Sequence, residues 1–521
     1  MKREANLARL SEPFDVLVIG GGATGLGCAV DAASRGYRTA LVEAGDFAGA
    51  TSSRSTKILH GGVRYLEQGD VKLVREALHE RVNVLRNASH LSRALGFLCP
   101  FYKWFEAPYY FAGLKAYDVL AGSASLGASR YLGRFETVRR LPNLRGTGLH
   151  GGILYFDGLF DDARLALALA RTAVDCGAAV VNYARAVRLL RDGSRVAGAL
   201  VRDQESGVER EVRARVVVNA TGIFTDDIRE LEDSSAPPLM KLSRGSHLVF
   251  PRELFPGDDA LLVPKTEDGR VLFAIPWHEH VVVGTTDIEA RAPELDPQPT
   301  RAEIDFIVAQ FNRYLARKVA RHQAVAAFAG LRPLVSGPAA STAKLSREHY
   351  VGVSAGSMVT VAGGKWTTYR KMAEDAIDVA AKTAGLEPHA CVTPSLALHG
   401  NPTPGEPDGA DAYAIYGTDA ARIRAIEAAD PTLAQALQPG FAHTRAAVLF
   451  AAREEMARTV DDVLSRRTRM LFLDAAGARR AAPEVAALLA RELGRDGAWV
   501  DAQVRAFDGI IDGDNAALLT A

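Results

Sequence analysis

Three glycines, Gly20, Gly22 and Gly25, followed by an acid at Glu43, have the types and spacing to hold the pyrophosphate and ribose of a dinucleotide. Gly20 permits a tight turn, Gly22 lets backbone come close to a pyrophosphate, and Gly25 lets a helix sit against a strand. Free N–H groups and partial positive charge at that helix's N-terminus favour the phosphates. An acid roughly 20 residues further on accepts from ribose hydroxyls. The triplet gains its force from its surroundings. Phe14 to Ile19 is apolar almost without interruption, the pattern of a strand buried on both faces. Ala23 to Ser34 suits a helix packed on a sheet, Gly36 ends it, and Arg38 to Val42 forms the next strand, with Glu43 at its end.

A second chemistry lies in Ala50-Thr-Ser-Ser-Arg-Ser-Thr-Lys-Ile-Leu-His60-Gly-Gly-Val-Arg-Tyr65. Thr51, Ser52, Ser53, Lys57, His60, Gly61 and Gly62 offer donors where a plain NAD-binding unit would continue its strand–helix alternation. This excursion suits FAD, with the flavin ring threaded between loops. A plain Ser/Thr-rich surface loop would leave the block Leu59 to Tyr65 unexplained. Arg215 to Gly222 is a buried strand that delivers Ala220, Thr221 and Gly222 to the same ligand; Ala186, in the meander before it, and Gly330 are assigned there too. Met358 to Tyr369 returns as strand, glycine turn and helix, and Gly364, Lys365, Trp366 and Thr367 complete the cofactor set. Reduction places negative charge near flavin N1 and the C2 carbonyl, which a helix N-terminus and Lys365 would stabilise.

Arg64, Arg332, Arg347 and Lys365 stand beside glycines, prolines or predicted strand ends. Singly, each reads as a surface cation. Together, in segments expected to converge on a flavin, they suit an anionic substrate such as a phosphate ester. His247, at the start of a predicted strand, is either a satisfied structural histidine or one that touches substrate.

These residues require an α/β fold in which the FAD-binding Rossmann domain is discontinuous, spanning 12–72, 158–228 and 327–395. Its expected elements include a helix over Asp161–Cys176, a strand over Ala179–Asn182 and a meander turning at Arg191–Ser194. Two insertions, 73–157 and 229–326, form a mixed α+β substrate cap with strands such as Gly245–Phe250 and Val281–Thr285. Residues 402–411, rich in Pro and Gly, read as a linker to an all-α domain over 412–521.

At 521 residues the chain exceeds one ordinary core, and 48% hydrophobic with 24% charged residues places it among globular proteins. Lys+Arg 62 balances Asp+Glu 62, so no overall charge draws it to nucleic acid. Cys28, Cys99, Cys176 and Cys391 are scattered, which argues against a metal site or a disulfide framework. No signal peptide is expected, and no run of 18 or more apolar residues exists, so membrane contact would be peripheral. Residues 101–111 hold seven aromatics in a chain that is 7% aromatic, and Arg130, Arg134, Arg139, Arg140 and Arg145 follow. Such a run suits a headgroup layer, an aromatic cap over the site or an oligomer contact.

Several of these blocks resemble the FAD-dependent, quinone-linked glycerol-3-phosphate dehydrogenases. The matching segments are Ile19–Gly25, Ala50–Ser53, Lys57–Leu66, Asp161–Leu165, Asn219–Gly222, Gly245–His247, Gly284–Asp287, Gly330–Pro333, Gly363–Arg370 and Ala457–Arg469. The first is common among flavoproteins; Lys57–Leu66 and Gly363–Arg370 are far more specific. The resemblance implies a D-amino-acid-oxidase-like fold and oxidation of sn-glycerol 3-phosphate to dihydroxyacetone phosphate. A hydride passes from C2 to flavin N5, a base takes the hydroxyl proton, and quinone reoxidises the cofactor. Carried over by position, Arg64, Tyr65, His247, Arg332, Arg347, Lys365 and Thr368 surround the substrate. Arg332 and Lys365 fall near the carbinol, and Arg64 and Arg347 at the phosphate. The base among Arg332, Lys365 and His247 stays open, since Arg is a poor base whereas a desolvated Lys or a His acts near neutrality. The resemblance also implies peripheral contact with the cytoplasmic face of the inner membrane, here through 101–145. A homodimer is an assembly open to it. Asp508–Asp514 is acidic but lacks a 12-residue calcium-loop pattern, and no metal is expected. The alternatives are a glycerol-3-phosphate oxidase using O2 and another flavin oxidase of the same fold; a flavin-binding scaffold without turnover is the non-enzymatic reading.

Overall fold

The computed structural model describes residues 1–62, 70–267, 269–336, 349–402 and 413–519. Its two large sheets divide the site between them. The first has eight strands, with Phe14–Ile19 central between Thr39–Val42 and Glu209–Asn219, all parallel. Ala179–Val181 extends one side, and Val359–Gly363 with His349–Val353 the other. The unbroken apolar run of the first strand follows from burial on both faces. Val16 and Val18 pack under the helices Ala23–Ser34, Asp162–Asp175 and Tyr369–Ala384, whereas Leu17 and Ile19 face a core closed by the meander Ala184–Asp192 and Arg195–Asp203.

The ten-stranded second sheet is mostly antiparallel. Ser92–Phe101, Arg130–Gly133 and Gly151–Phe160 come from the first insertion; Met240–Pro251, Ala260–Val263, Leu272–Trp277, His280–Gly284 and Ile288–Ala290 come from the second. Alternate residues again choose faces. Leu98, Leu248, Phe250 and Leu261 pack on the helix Arg301–Asn312, while Phe97, Val249, Leu262 and Phe328 join a core shared with the C-terminal helices. That helix starts with a reciprocal cap between Thr300 and Glu303.

The structure departs from the expected segmentation at two places. Ile58–Leu59 and Ala326–Val335, assigned to flavin-binding segments except for Ala326, are strands of the second sheet, pairing with Gly151–Phe160 and Met240–Pro251. The chain crosses between the sheets inside the polar loop, which explains why that loop abandons strand–helix alternation. The C-terminal helices Ala420–Ala429, Arg445–Glu454, Ala475–Leu493 and Gly497–Leu519 share a continuous apolar core with the second sheet rather than standing apart. Most of the expected linker lies outside the described residues. Among the described residues no helix is long and apolar enough to cross a membrane.

Candidate active site

At the glycine turn, backbone crowding dictates sequence. Gly20 has φ +113°, and a Cβ there would stand 2.6 Å from the Ala220 carbonyl oxygen. A Cβ on Gly25 would lie 1.9 Å from the Gly20 carbonyl oxygen, so only glycine lets the helix approach the turn. Gly22 is looser, with Ser52 Oγ at 3.1 Å from its hypothetical Cβ. Glu43 fastens the turn from the neighbouring strand: Gly21 N donates to its Oε2 at 2.6 Å and Gly45 N to its Oε1 at 2.8 Å. Burial raises the Glu43 carboxyl above its ordinary value.

The polar loop lies directly over this turn. Ala23 N, at the helix N-terminus, donates to Ser52 Oγ at 2.9 Å, and Trp366 Nε1 donates to Ser52 O at 2.9 Å. Thr51 Oγ1 donates to Leu331 O at 2.7 Å, and His60 N donates to Thr367 Oγ1 at 3.2 Å. Thr221 is held by Asn219 through Oγ1, at 2.7 Å, and Gly222 has φ +59°. Ala186 is buried in the strand Ala184–Asp192, whose first N–H donates to Glu43 O. Glycines, acid and hydroxyls from separate segments thus meet at one turn. A helix N-terminus, a carboxylate and a turn with no room for Cβ fit the pyrophosphate and ribose of FAD.

Beyond the loop a cavity of about 710 Å3 opens between the sheets. Thr51, His60, Gly62, His247, Gly330, Arg332, Gly364, Lys365, Trp366 and Thr367 line it, together with Arg54 and Thr56. Glycines make room for the charged and aromatic groups. Gly245 pairs with Gly330 across the sheet, and a Cβ on Gly245 would stand 2.3 Å from Arg332 Nη2, which donates to Thr285 Oγ1 at 3.0 Å. A Cβ on Gly284, opposite His247, would strike its ring at 2.3 Å. His247 lies flat on Phe328, centroids 4.7 Å apart, and its Nε2 is 3.0 Å from Thr56 Oγ1. Burial, then the nearby Arg332 and Lys57 charges, hold its pKa well below the ordinary 6.5, so the ring is neutral. Lys365 sits at the glycine turn after Val359–Gly363, where Gly363 and Gly364 take φ of +77° and +70°.

Not every expected contact converges on the cavity. Thr368 is buried, its hydroxyl donating to Lys365 O at 3.3 Å, and it is not among the lining residues. Lys57 faces away, wholly buried against Asp162 at 2.7 Å. Arg64, Tyr65 and Arg347 lie outside the described residues. Sequence reasoning missed the groups that hold the double glycine. Gly61 N donates to Tyr117 OH at 2.9 Å, Tyr117 OH donates to Asp157 at 2.7 Å, and the buried Arg81 guanidinium closes the network on Asp157 at 2.5 Å. A Cβ on Gly61 would meet Tyr117 OH at 2.5 Å. A lone buried Asp in an apolar strand was the only available signal.

The aromatic run divides. Tyr109 and Tyr110, on the helix Glu106–Ala121, line the cavity, whereas Trp104 is 73% and Phe135 84% exposed on the neighbouring surface. No cluster of three or more metal-binding side chains occurs among the described residues.

Residues 15–370 match the FAD dependent oxidoreductase family, and 407–500 match the C-terminal domain of alpha-glycerophosphate oxidase. Mitochondrial glycerol-3-phosphate dehydrogenases from Mesocricetus auratus and Homo sapiens are each 42% identical, over 94% and 95% of this chain and 72% and 73% of theirs. The glycerol-3-phosphate dehydrogenase from Bacillus halodurans, solved with FAD, superposes with a TM-score of 0.82 at 28% identity, over 100% of this chain and 99% of that one. The fold is a D-amino-acid-oxidase-type FAD domain with a cap sheet and a C-terminal helical domain. With its glycine turn, cation-lined cavity and C-terminal helices all accounted for, the chain belongs to the FAD-dependent glycerol-3-phosphate dehydrogenase family.

Proposed function

We propose that the protein oxidises sn-glycerol 3-phosphate to dihydroxyacetone phosphate and delivers the electrons to quinone. FAD, when bound, would supply the two-electron acceptor for the hydride that leaves C2. The chain's own task is to hold a dianion and to manage one proton. Arg332 and Lys365 come from different sheets yet line one cavity, and this convergence carries the reading. Bidentate Arg and a Lys point charge suit a phosphate ester and the oxygen developing at C2. Arg64, Tyr65 and Arg347 complete the substrate set of this reading. His247, neutral and fixed by Thr56 and Phe328, is the base of this reading, taking the hydroxyl proton as the carbonyl forms. An apolar pocket for an amino-acid side chain would be at odds with this concentration of cations.

The exposure of the large apolar side chains Trp104, Phe105, Val119 and Phe135 supports a surface that rests on the cytoplasmic side of a membrane, where a lipid-soluble quinone is at hand. The matched C-terminal family carries an oxidase name, so oxygen is the competing acceptor. Turnover of the purified holoenzyme with a soluble quinone analogue, against peroxide release in air, separates the two. The proposal expects quinone reduction much faster than peroxide release; fast peroxide production without quinone would establish the oxidase instead.

A further inference from the structure

A buried ionic cluster ties the C-terminal domain to the polar loop, and the reaction as proposed makes no use of it. Asp162, the first residue of the helix Asp162–Asp175, is fully buried and accepts four hydrogen bonds from other segments. Ser55 N reaches it at 3.0 Å, Ser55 Oγ at 2.7 Å, Lys57 Nζ at 2.7 Å and Arg469 Nη2 at 2.9 Å. Both cations also donate to the Ser53 carbonyl oxygen at 2.8 Å. One carbonyl and one carboxylate are therefore each shared by a loop lysine and an arginine from the C-terminal domain.

Arg469 is built for this position. It follows the π-helical turn Asp462–Arg467, and its Nη1 donates back to Ser465 O at 2.7 Å. The guanidinium packs on Phe472 and Trp277, with ring centroids 4.9 and 5.4 Å away, and its Nε lies 3.6 Å from Asp161. Lys57 Nζ sits among Trp277, Phe328 and Phe472 at 5.3, 5.2 and 5.8 Å. Both residues take left-handed backbone, φ +66° for Lys57 and +62° for Arg469, a conformation that side-chain-bearing residues hold only when their surroundings impose it. Two carboxylates, Asp161 and Asp162, face Arg469 and Lys57, and burial pulls the Lys57 amine down to about 7. Burial opposes ionisation of Asp161, but Arg469 and His278 outweigh it and hold its pKa below the ordinary value.

Between the two clamped residues stands Thr56, whose side chain points the other way. It lines the cavity, and its Oγ1 is the partner of His247 Nε2. The other ring nitrogen, Nδ1, is buried without a hydrogen-bond partner among the described residues. We infer that Arg469 is a positioning residue of the active site: the C-terminal domain uses it to lock residues 53–57, so that Thr56 fixes the His247 ring toward the reacting centre. The inference rests on reading the cavity as the catalytic site. It gives the C-terminal domain a defined role, that of a wall behind the loop whose opposite side faces the substrate.

The test compares Arg469→Met and Arg469→Lys with Arg164→Met in the full chain. Arg164 is a fitting control because it lies on the same helix, pairs with Glu455 of the C-terminal region at 2.7 Å, and does not touch the loop. Amide hydrogen exchange over 51–60 is measured on apoprotein, with FAD affinity, kcat and KM on the loaded enzyme. Arg469→Met is expected to speed exchange of 51–60 by about tenfold or more and to lower kcat about tenfold, with KM for glycerol 3-phosphate little changed. Arg164→Met is expected to leave loop exchange and kcat near wild type even if it melts earlier. Arg469→Lys should recover part of both losses, and it supplies the reading if Arg469→Met does not fold. Equal loop exchange and equal kcat in the Arg469 and Arg164 variants would overturn the inference. A wild-type chain that leaves glycerol 3-phosphate untouched while the exchange contrast persists would refute the substrate assignment and leave the clamp standing.

Discussion

The glycine turn and the cation-lined cavity both receive negative charge, but they do so by opposite means. At the turn the donors are backbone N–H groups, and what matters is the absence of Cβ at Gly20 and Gly25. In the cavity the proposed donors are side chains, Arg332 and Lys365, and glycines matter one step removed, as the empty space at Gly245 and Gly284 that lets Arg332 and His247 lie where they do. A backbone site fails as a whole when it is crowded, whereas a side-chain site loses function group by group and keeps its shape.

Gly25→Ala should give the largest effect. Its Cβ would meet backbone at 1.9 Å, with no side chain able to swing aside, so the purified protein should hold less than about one-tenth of the wild-type flavin. Gly22→Ala meets only the Ser52 hydroxyl within the chain, which can rotate, so its flavin loss comes from crowding the pyrophosphate alone and should be smaller than that of Gly25→Ala. Flavin absorbance per chain checks both, and equal loss in the two would break the contrast. In the cavity, Arg332→Ala should bind FAD normally, Lys365→Ala should bind it more weakly, and both should lose about 100-fold or more in kcat/KM for glycerol 3-phosphate. Gly245→Ala, which pushes on the Arg332 guanidinium from behind, should show a smaller version of the same loss, about tenfold, by steady-state assay.

His247 supplies a pH test of the side-chain site. Its folded pKa lies below the ordinary 6.5 because burial penalises the charged ring. Stability from this residue is therefore fully present above about pH 6.5 and falls away as pH drops toward the lowered native value. Urea melts from pH 7.5 to 5 should show falling stability, and His247→Gln should flatten that slope. A slope unchanged by the substitution would place the sensitivity elsewhere. The smallest catalytic effect is expected at the surface. Trp104→Ser with Phe135→Ser should leave turnover with a soluble acceptor near wild type and reduce co-sedimentation with anionic vesicles. Unchanged co-sedimentation would mean that the aromatic face does not meet lipid.

How much of this is legible in sequence follows from the same contrast. The turn is written in a few consecutive residues, because a parallel strand, a tight turn and a helix impose a local pattern, and Gly20, Gly22, Gly25 and Glu43 stand where that pattern puts them. The cavity is assembled from several distant segments. His247, Arg332 and Lys365 stand beside glycines in sequence, but those glycines make room for other groups: Gly245 for Arg332, Gly330 for Arg54 and Gly364 for Met372. Thr368, implied only by the resemblance, turns its hydroxyl into its own backbone turn. Lys57 reads as a flavin donor in sequence, yet it points into a buried cluster whose other cation, Arg469, is more than 400 residues away in sequence and carries no local signature. Sheet membership was hidden for a related reason. Ile58–Leu59 and Ala326–Val335 look like any buried strand, and only pairing shows that they belong to the second sheet.

The most direct test of the central claim, that Arg332 and Lys365 create a phosphate-selective site against the flavin, is an anaerobic titration of the holoenzyme followed by flavin absorbance. Stoichiometric bleaching by sn-glycerol 3-phosphate, none by glycerol at the same concentrations, and loss of the response in Arg332→Ala and Lys365→Ala is the predicted result. Bleaching by glycerol as readily as by its phosphate, or a full response in both variants, would contradict it.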